Sequence, residues 1–231
     1  MGLDVYVGSL TRYYSGDWKL PTQAWAEEMG MPFGLLGDHV TKEGPKRDRE
    51  EIRDAILRWR VKLGRRLEET LDWDESDAAP YLTEKPGFEG YAALQLWATC
   101  DDHPGLRPPP TAPWKGVDAS ALRDGVRGGS ATRYPNLARP VALWLPFEGG
   151  ATVQAPNVTD DPVTTGSSPR LLEELRLLNS RTWKADPGQL WEYVGTLPDP
   201  SLEAEACAAF GLVLKLAEFS VRRRLPMLLD A

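Results

Sequence analysis

The sequence predicts an α+β protein: helix-rich, with a small mixed or antiparallel sheet that includes the amino-terminal strand, and a buried helix near the carboxyl terminus. Three observations predict it. Leu3, Val5 and Val7 alternate with Asp4, Tyr6 and Gly8, the period of a strand with one buried face. Ile52, Ile56, Trp59, Leu63 and Leu67 recur every three or four residues, the stripe of a core-facing helix. Ala206 to Ala217 is apolar nearly all round, as expected of a helix covered on all sides.

The remaining elements follow in order. Asp17 to Met29 reads as a short helix with Pro21 in its first turns. A Gly/Pro loop over residues 30–45 leads to the longest helix, Lys46 to Leu71, and then to an acidic turn from Asp72 to Pro80. Phe88 to Asp101 reads as a helix that turns Tyr91, Leu94, Leu96 and Trp97 inward. The Pro-rich run 104–113 is neither helix nor central strand. The chain reads as one domain, 1–231, and this run is where it would subdivide. Val141–Leu145 and Ala151–Gln154 read as two strands joined by the tight loop 146–150. Ser168-Pro169, Asp186-Pro187 and Asp199-Pro200 each set a capping side chain before a proline. They predict helices over 169–179, 187–194 and 200–225, the last closed by Arg222, Arg223 and Arg224 against its dipole.

Composition narrows the function classes. With 42% hydrophobic and 26% charged residues, the chain has the makings of an ordinary globular core. The formal net charge is -7, and the halves 1–115 and 116–231 hold 15 basic against 20 acidic and 12 against 14. Neither half carries the basic footprint of a nucleic-acid binder, so no nucleic-acid partner is expected. Cys100 and Cys207 sit in apolar contexts and read as buried free thiols. No positively charged leader precedes the first strand, and Lys215 and Glu218 break the longest apolar run. The expectation is a cytoplasmic protein with no membrane partner, monomer or homodimer. Arg outnumbers Lys 19 to 8, in keeping with a GC-rich bacterial genome.

The densest mixture of charge, hydroxyl and aromatic groups is Asp4, Tyr6, Arg12, Tyr13, Tyr14, Asp17 and Trp18. As a binding site, Arg12 would fork onto a carboxylate or phosphate while the tyrosines stack or donate. As structure, Arg12 would pair with Asp17 and the aromatics would cap the core. A second candidate is the basic stripe Arg58, Lys62, Arg65 and Arg66 on the long helix. It would touch an anion, a nucleic-acid backbone or an acidic partner, or else form a solvated face with the pairs Asp54–Arg58 and Arg65–Glu69.

Metal and nucleophile patterns are absent. His39, Cys100, His103 and Cys207 lack zinc-site spacing, and Asp72, Asp74, Glu75 and Asp77 lack the Gly and Glu of a calcium loop. No Gly-x-Ser-x-Gly occurs, and acidic Asp101 and Asp102 disfavour a Cys100–His103 thiolate pair. The glycine-rich run 125–132 lacks the lysine and the preceding strand of a P-loop. No metal or cofactor is expected.

The opening Gly-Leu-Asp-Val-Tyr-Val-Gly with Leu-Thr-Arg-Tyr-Tyr resembles the start of a group of uncharacterised bacterial proteins. The resemblance implies a bacterial origin and brings no activity, cofactor or catalytic residue with it. The reading is a protein that works by binding another protein, in an immunity-like or regulatory role. The alternative is a small-ligand binder or enzyme using the amino-terminal cluster.

Overall fold

The chain begins and ends in one sheet. In the computed structural model, which describes residues 3–31, 48–103, 132–150, 152–197 and 201–230, the strands are β1 (Asp4–Val7), β2 (Leu82–Glu84), β3 (Val141–Leu145), β4 (Val153–Pro156), β5 (Pro162–Ser167) and β6 (Met227–Asp230). Their order is β2-β1-β6-β3-β5-β4. β3 and β5 run parallel and every other pair is antiparallel, so the sheet is mixed.

The helices are α1 (Leu10–Ser15), α2 (Pro21–Glu28), α3 (Arg49–Leu67), α4 (Gly87–Asp102), α5 (Pro135–Ala138), α6 (Ser168–Arg181), α7 (Leu190–Val194, entered through a 3-10 turn at Pro187–Gln189) and α8 (Leu202–Arg223). The predicted α+β class, with the amino-terminal strand in the sheet and a buried carboxyl-terminal helix, is the observed architecture.

α8 is the spine. Ala206, Cys207, Ala209, Phe210, Val213, Leu214, Leu216 and Ala217 are all buried, mainly against α4 and α6. Its polar exceptions reach outward, Lys215 to Glu84 and Glu218 to Arg176. Val5 and Val7 face this core, whereas Tyr6 faces a second one with Ile52, Ile56, Trp59 and Leu63 of α3. β1 is therefore buried on both faces, because β2 and β6 flank it and helices cover each side. The ring of Tyr6 lies over the backbone of Gly8, where a Cβ would sit 2.3 Å from the phenol oxygen. Only glycine fits there without moving a fully buried ring.

Several expectations are corrected. β3 and β4 do not pair; β5 lies between them. β4 exposes Gln154 and Pro156, residues suited to an edge strand. β5 is buried from Thr164 to Ser167 and takes the inner place. Ser167 rather than Ser168 caps α6, through Arg170 N, and Ser201 caps α8, through Ala204 N. Asp186 caps as expected. Asp48 caps α3, whose end is set by Glu68 in a left-handed conformation. α1 follows β1 directly, with Ser9 as its cap, a short helix that is not among the elements predicted from the sequence. The Pro-rich run 104–113 lies outside the described residues, and no helix of the described residues is long and apolar enough to cross a membrane.

Candidate functional site

The amino-terminal cluster assembles largely as aromatic packing. Tyr6 contacts Tyr13, Trp18 and Tyr81 at ring distances of 5.4, 5.3 and 6.1 Å, and Tyr14 meets Tyr13 edge-on at 5.1 Å. Asp4 lies opposite Asp230 across the β1–β6 ladder, and the Tyr13 hydroxyl donates to Asp230 Oδ1 at 2.8 Å. Burial raises the Asp4 carboxyl above its ordinary value, opposed by Lys85 at 3.7 Å and reinforced by Asp230. Burial likewise pushes Tyr14 up to about 12.

Arg12 does not pair with Asp17. Its two terminal nitrogens donate to the carbonyls of Ala79 (2.6 Å) and Asp77 (2.7 Å), and its guanidinium stacks over Tyr81 at 4.8 Å. Asp17 instead accepts from Arg49 and from Ser15, both at 2.9 Å. Four of the seven, Tyr6, Tyr13, Tyr14 and Trp18, thus share one cluster, with Asp4 reached through Asp230, Arg12 at the rim and Asp17 on a separate exposed network. Arg12 and α1 hold the acidic turn in place, and the turn answers with Glu75. This buried carboxylate accepts from Leu10 N at 3.1 Å, Thr11 N at 2.7 Å and the Trp73 indole. The acidic turn is a cap for α1, a role that its sequence does not announce.

A second buried carboxylate has the same task. Glu174 accepts from Asn136 N, Asn136 Nδ2 and Leu137 N at the start of α5. Burial pushes its carboxyl up to about 7, although those N–H groups favour the charged form. A glutamate poised near neutrality is a mark of many active sites, but here its donors, Asn136 and Leu137, belong to the α5 turn it anchors. The thiols of Cys100 and Cys207 are buried and free, and burial raises both. Among the described residues no three His, Cys, Asp or Glu side chains converge as metal ligands; His39 and most of the glycine-rich run lie outside the described residues.

The basic stripe, in contrast, opens onto space. A cleft of about 390 Å³ lies between α3 and the β4–β5 turn. Ala55, Arg58, Trp59, Lys62, Leu63 and Arg66 form one wall, and Ala155, Pro156, Asn157, Val158 and Asp160 the other. The Trp59 indole donates to Pro156 O at 2.8 Å and ties the walls together. Asn157 shapes the turn, its Oδ1 accepting from Thr159 N and Asp161 N, both at 2.9 Å, while Asp160 adopts a φ of 63°. Tyr14 meets the Val158 backbone, and both pack against the core that holds Tyr6 and Trp59, so the amino-terminal cluster adjoins the far wall of this cleft.

Arg58, Lys62 and Arg66 are exposed and form no ion pair with a described residue. The expected pairs Asp54–Arg58 and Arg65–Glu69 do not form, and Arg65 is not among the lining residues. The turn facing α3 was missed in the sequence; the run Asn157-Val158-Thr159-Asp160-Asp161-Pro162 is the signal that would have found it. No protein-family model, curated protein or solved structure matches this chain.

Proposed function

We propose that this protein works by binding, and that the cleft between α3 and the β4–β5 turn receives an anionic group of its partner. One observation carries this reading: three cations line one wall of an open cleft, unpaired among the described residues, in a chain whose net charge is -7. Paired surface cations contribute little, but two guanidinium forks and an ammonium around a concavity are suited to carboxylate or phosphate. The remaining lining is mainly small and apolar, Ala55, Ala155, Pro156 and Val158, which suits recognition of a bound segment. The partner we propose is another protein, met in the bacterial cytoplasm in an immunity-like or regulatory role. The acidic composition and the opening motif support that setting.

Titration with sodium pyrophosphate, read by calorimetry and thermal shift, tests the cleft. Saturable binding that weakens with salt and disappears in the Arg58→Ala/Lys62→Ala/Arg66→Ala variant is expected. Equal binding by the variant, or binding of no anionic probe by the native protein, overturns the assignment.

A second reading keeps the site at Asp4, Tyr6, Arg12, Tyr13, Tyr14, Asp17 and Trp18. The facing carboxylates of Asp4 and Asp230, one of them bonded to Tyr13, favour it as a small-ligand site. Pyrophosphate affinity lost in Arg12→Ala but kept in the triple variant would support this reading.

A further inference from the structure

We infer that the occupant of the cleft is an extended acidic segment of a partner protein, with carboxylates at alternate residues; this rests on the reading of the cleft as an anion site. The spacing of the cations matches an extended chain. Arg58, Lys62 and Arg66 are four residues apart, which at a rise of about 1.5 Å per residue places successive cations roughly 6 Å apart along roughly 12 Å of helix. An extended chain presents same-side residues about 6.6 Å apart. Three carboxylates on one side of such a segment therefore meet three cations in step, whereas a single phosphate reaches one or two.

The chemistry of the walls matches it too. Arg58 and Arg66 offer planar forks that match carboxylates. Ala155, Pro156 and Val158 opposite them give small apolar ground for the residues in between. Asp160 stands on that opposite wall and repels negative charge, so the anionic side of a bound segment must turn toward α3. β4, which supplies part of this wall, is an edge strand of the sheet, and among the described residues no further strand lies beyond it.

Nucleic acid fits less well. Single-strand recognition relies on exposed aromatic rings for stacking, and Trp59 is 9% exposed with its N–H committed to Pro156. The net charge of -7 also opposes a long polyanion beyond the cleft itself.

Fluorescence anisotropy with labelled probes tests the inference on the full chain. The probes are a (Glu-Ser)4 peptide, a peptide of the same composition with its glutamates in one block, a (Lys-Ser)4 control and octathymidylate, with sodium pyrophosphate measured in parallel. The alternating acidic peptide should bind most tightly and lose binding at about 1 M salt. Each of Arg58→Ala, Lys62→Ala and Arg66→Ala should weaken it about two- to fivefold, with circular dichroism unchanged, since alanine suits an exposed helical position. Pyrophosphate binding that is lost in the triple variant, without peptide binding, leaves the anion site standing and overturns the segment. Tighter binding of octathymidylate than of the peptide reassigns the cleft to nucleic acid. Failure of peptide and pyrophosphate alike overturns both readings, and equal affinity for the block and alternating peptides overturns the register.

Discussion

Replacing Glu75 by glutamine removes one charge and one acceptor from a site surrounded by donors. Glu75 is 7% exposed and satisfies the N–H groups of Leu10 and Thr11 and the Trp73 indole. The amide keeps one acceptor oxygen and turns an NH2 group toward the remaining donor. At least one charge-assisted bond disappears, costing about 1.5–3 kcal/mol. The surviving bonds drop to neutral strength, and the favourable charge at the start of α1 is lost, a further 0.3–1 kcal/mol or so. Relief from burying a charge offsets part of this, so the expected loss is about 2–3 kcal/mol. Urea unfolding followed by tryptophan fluorescence measures it, and amide exchange at Leu10 and Thr11 should accelerate selectively. Asp74→Asn, on the exposed side of the same turn, is the control. A loss below about 0.5 kcal/mol, or no change in exchange at those amides, would refute the capping role.

Phe210→Ala empties a fully buried site whose ring sits 5.0 Å from Trp183, and should cost about 3–5 kcal/mol in denaturant unfolding. Arg12→Ala should lower stability by about 1–3 kcal/mol by freeing the Ala79 and Asp77 carbonyls while leaving pyrophosphate affinity intact. Because Asp17 pairs with Arg49 instead, the Arg12→Ala/Asp17→Ala double variant should be additive in urea unfolding, and strong coupling would contradict the geometry. For Glu174 the folded carboxyl lies near 7, above its ordinary 4.5, so its contribution is fully present below about 4.5 and is lost as pH rises to 7. Unfolding midpoints at pH 5 and 7 should show Glu174→Gln gaining on the native protein as pH rises; a parallel pair of profiles would falsify the shift.

The class of fold was legible because its signals are local and periodic. Leu3, Val5 and Val7 mark β1, the Ile52-to-Leu63 stripe marks α3, and the apolar circumference of residues 206–217 marks α8. Each reflects the direction in which side chains leave a strand or helix, and needs no knowledge of neighbours. β2, β5 and β6 were not legible. β5 reads Pro-Val-Thr-Thr-Gly-Ser and is a strand only because β3 and β4 pair with it. β6 lies directly behind α8 and is defined by its pairing with β1, more than two hundred residues away in sequence. The candidate site divides in the same way. The basic stripe Arg58, Lys62, Arg65 and Arg66 was visible from spacing alone, but the wall across from it, and which three of the four line the cleft, were not.

What residue order settled is therefore everything governed by contacts within a turn or two: helix stripes, the alternation in β1, the cap at Asp186, and the common face of Arg58, Lys62 and Arg66. Tertiary structure decided the rest. It made both faces of β1 interior, sent Arg12 to the carbonyls of the acidic turn rather than to Asp17, and recruited Glu75 and Glu174 to cap helices far from them in sequence. It also set the β4–β5 turn against α3, which turns a solvated basic stripe into one wall of a cleft. The physical reason is that burial and hydrogen-bond satisfaction are settled between segments, and the N–H groups at a short helix's start donate to whichever carboxylate the fold brings within about 3 Å.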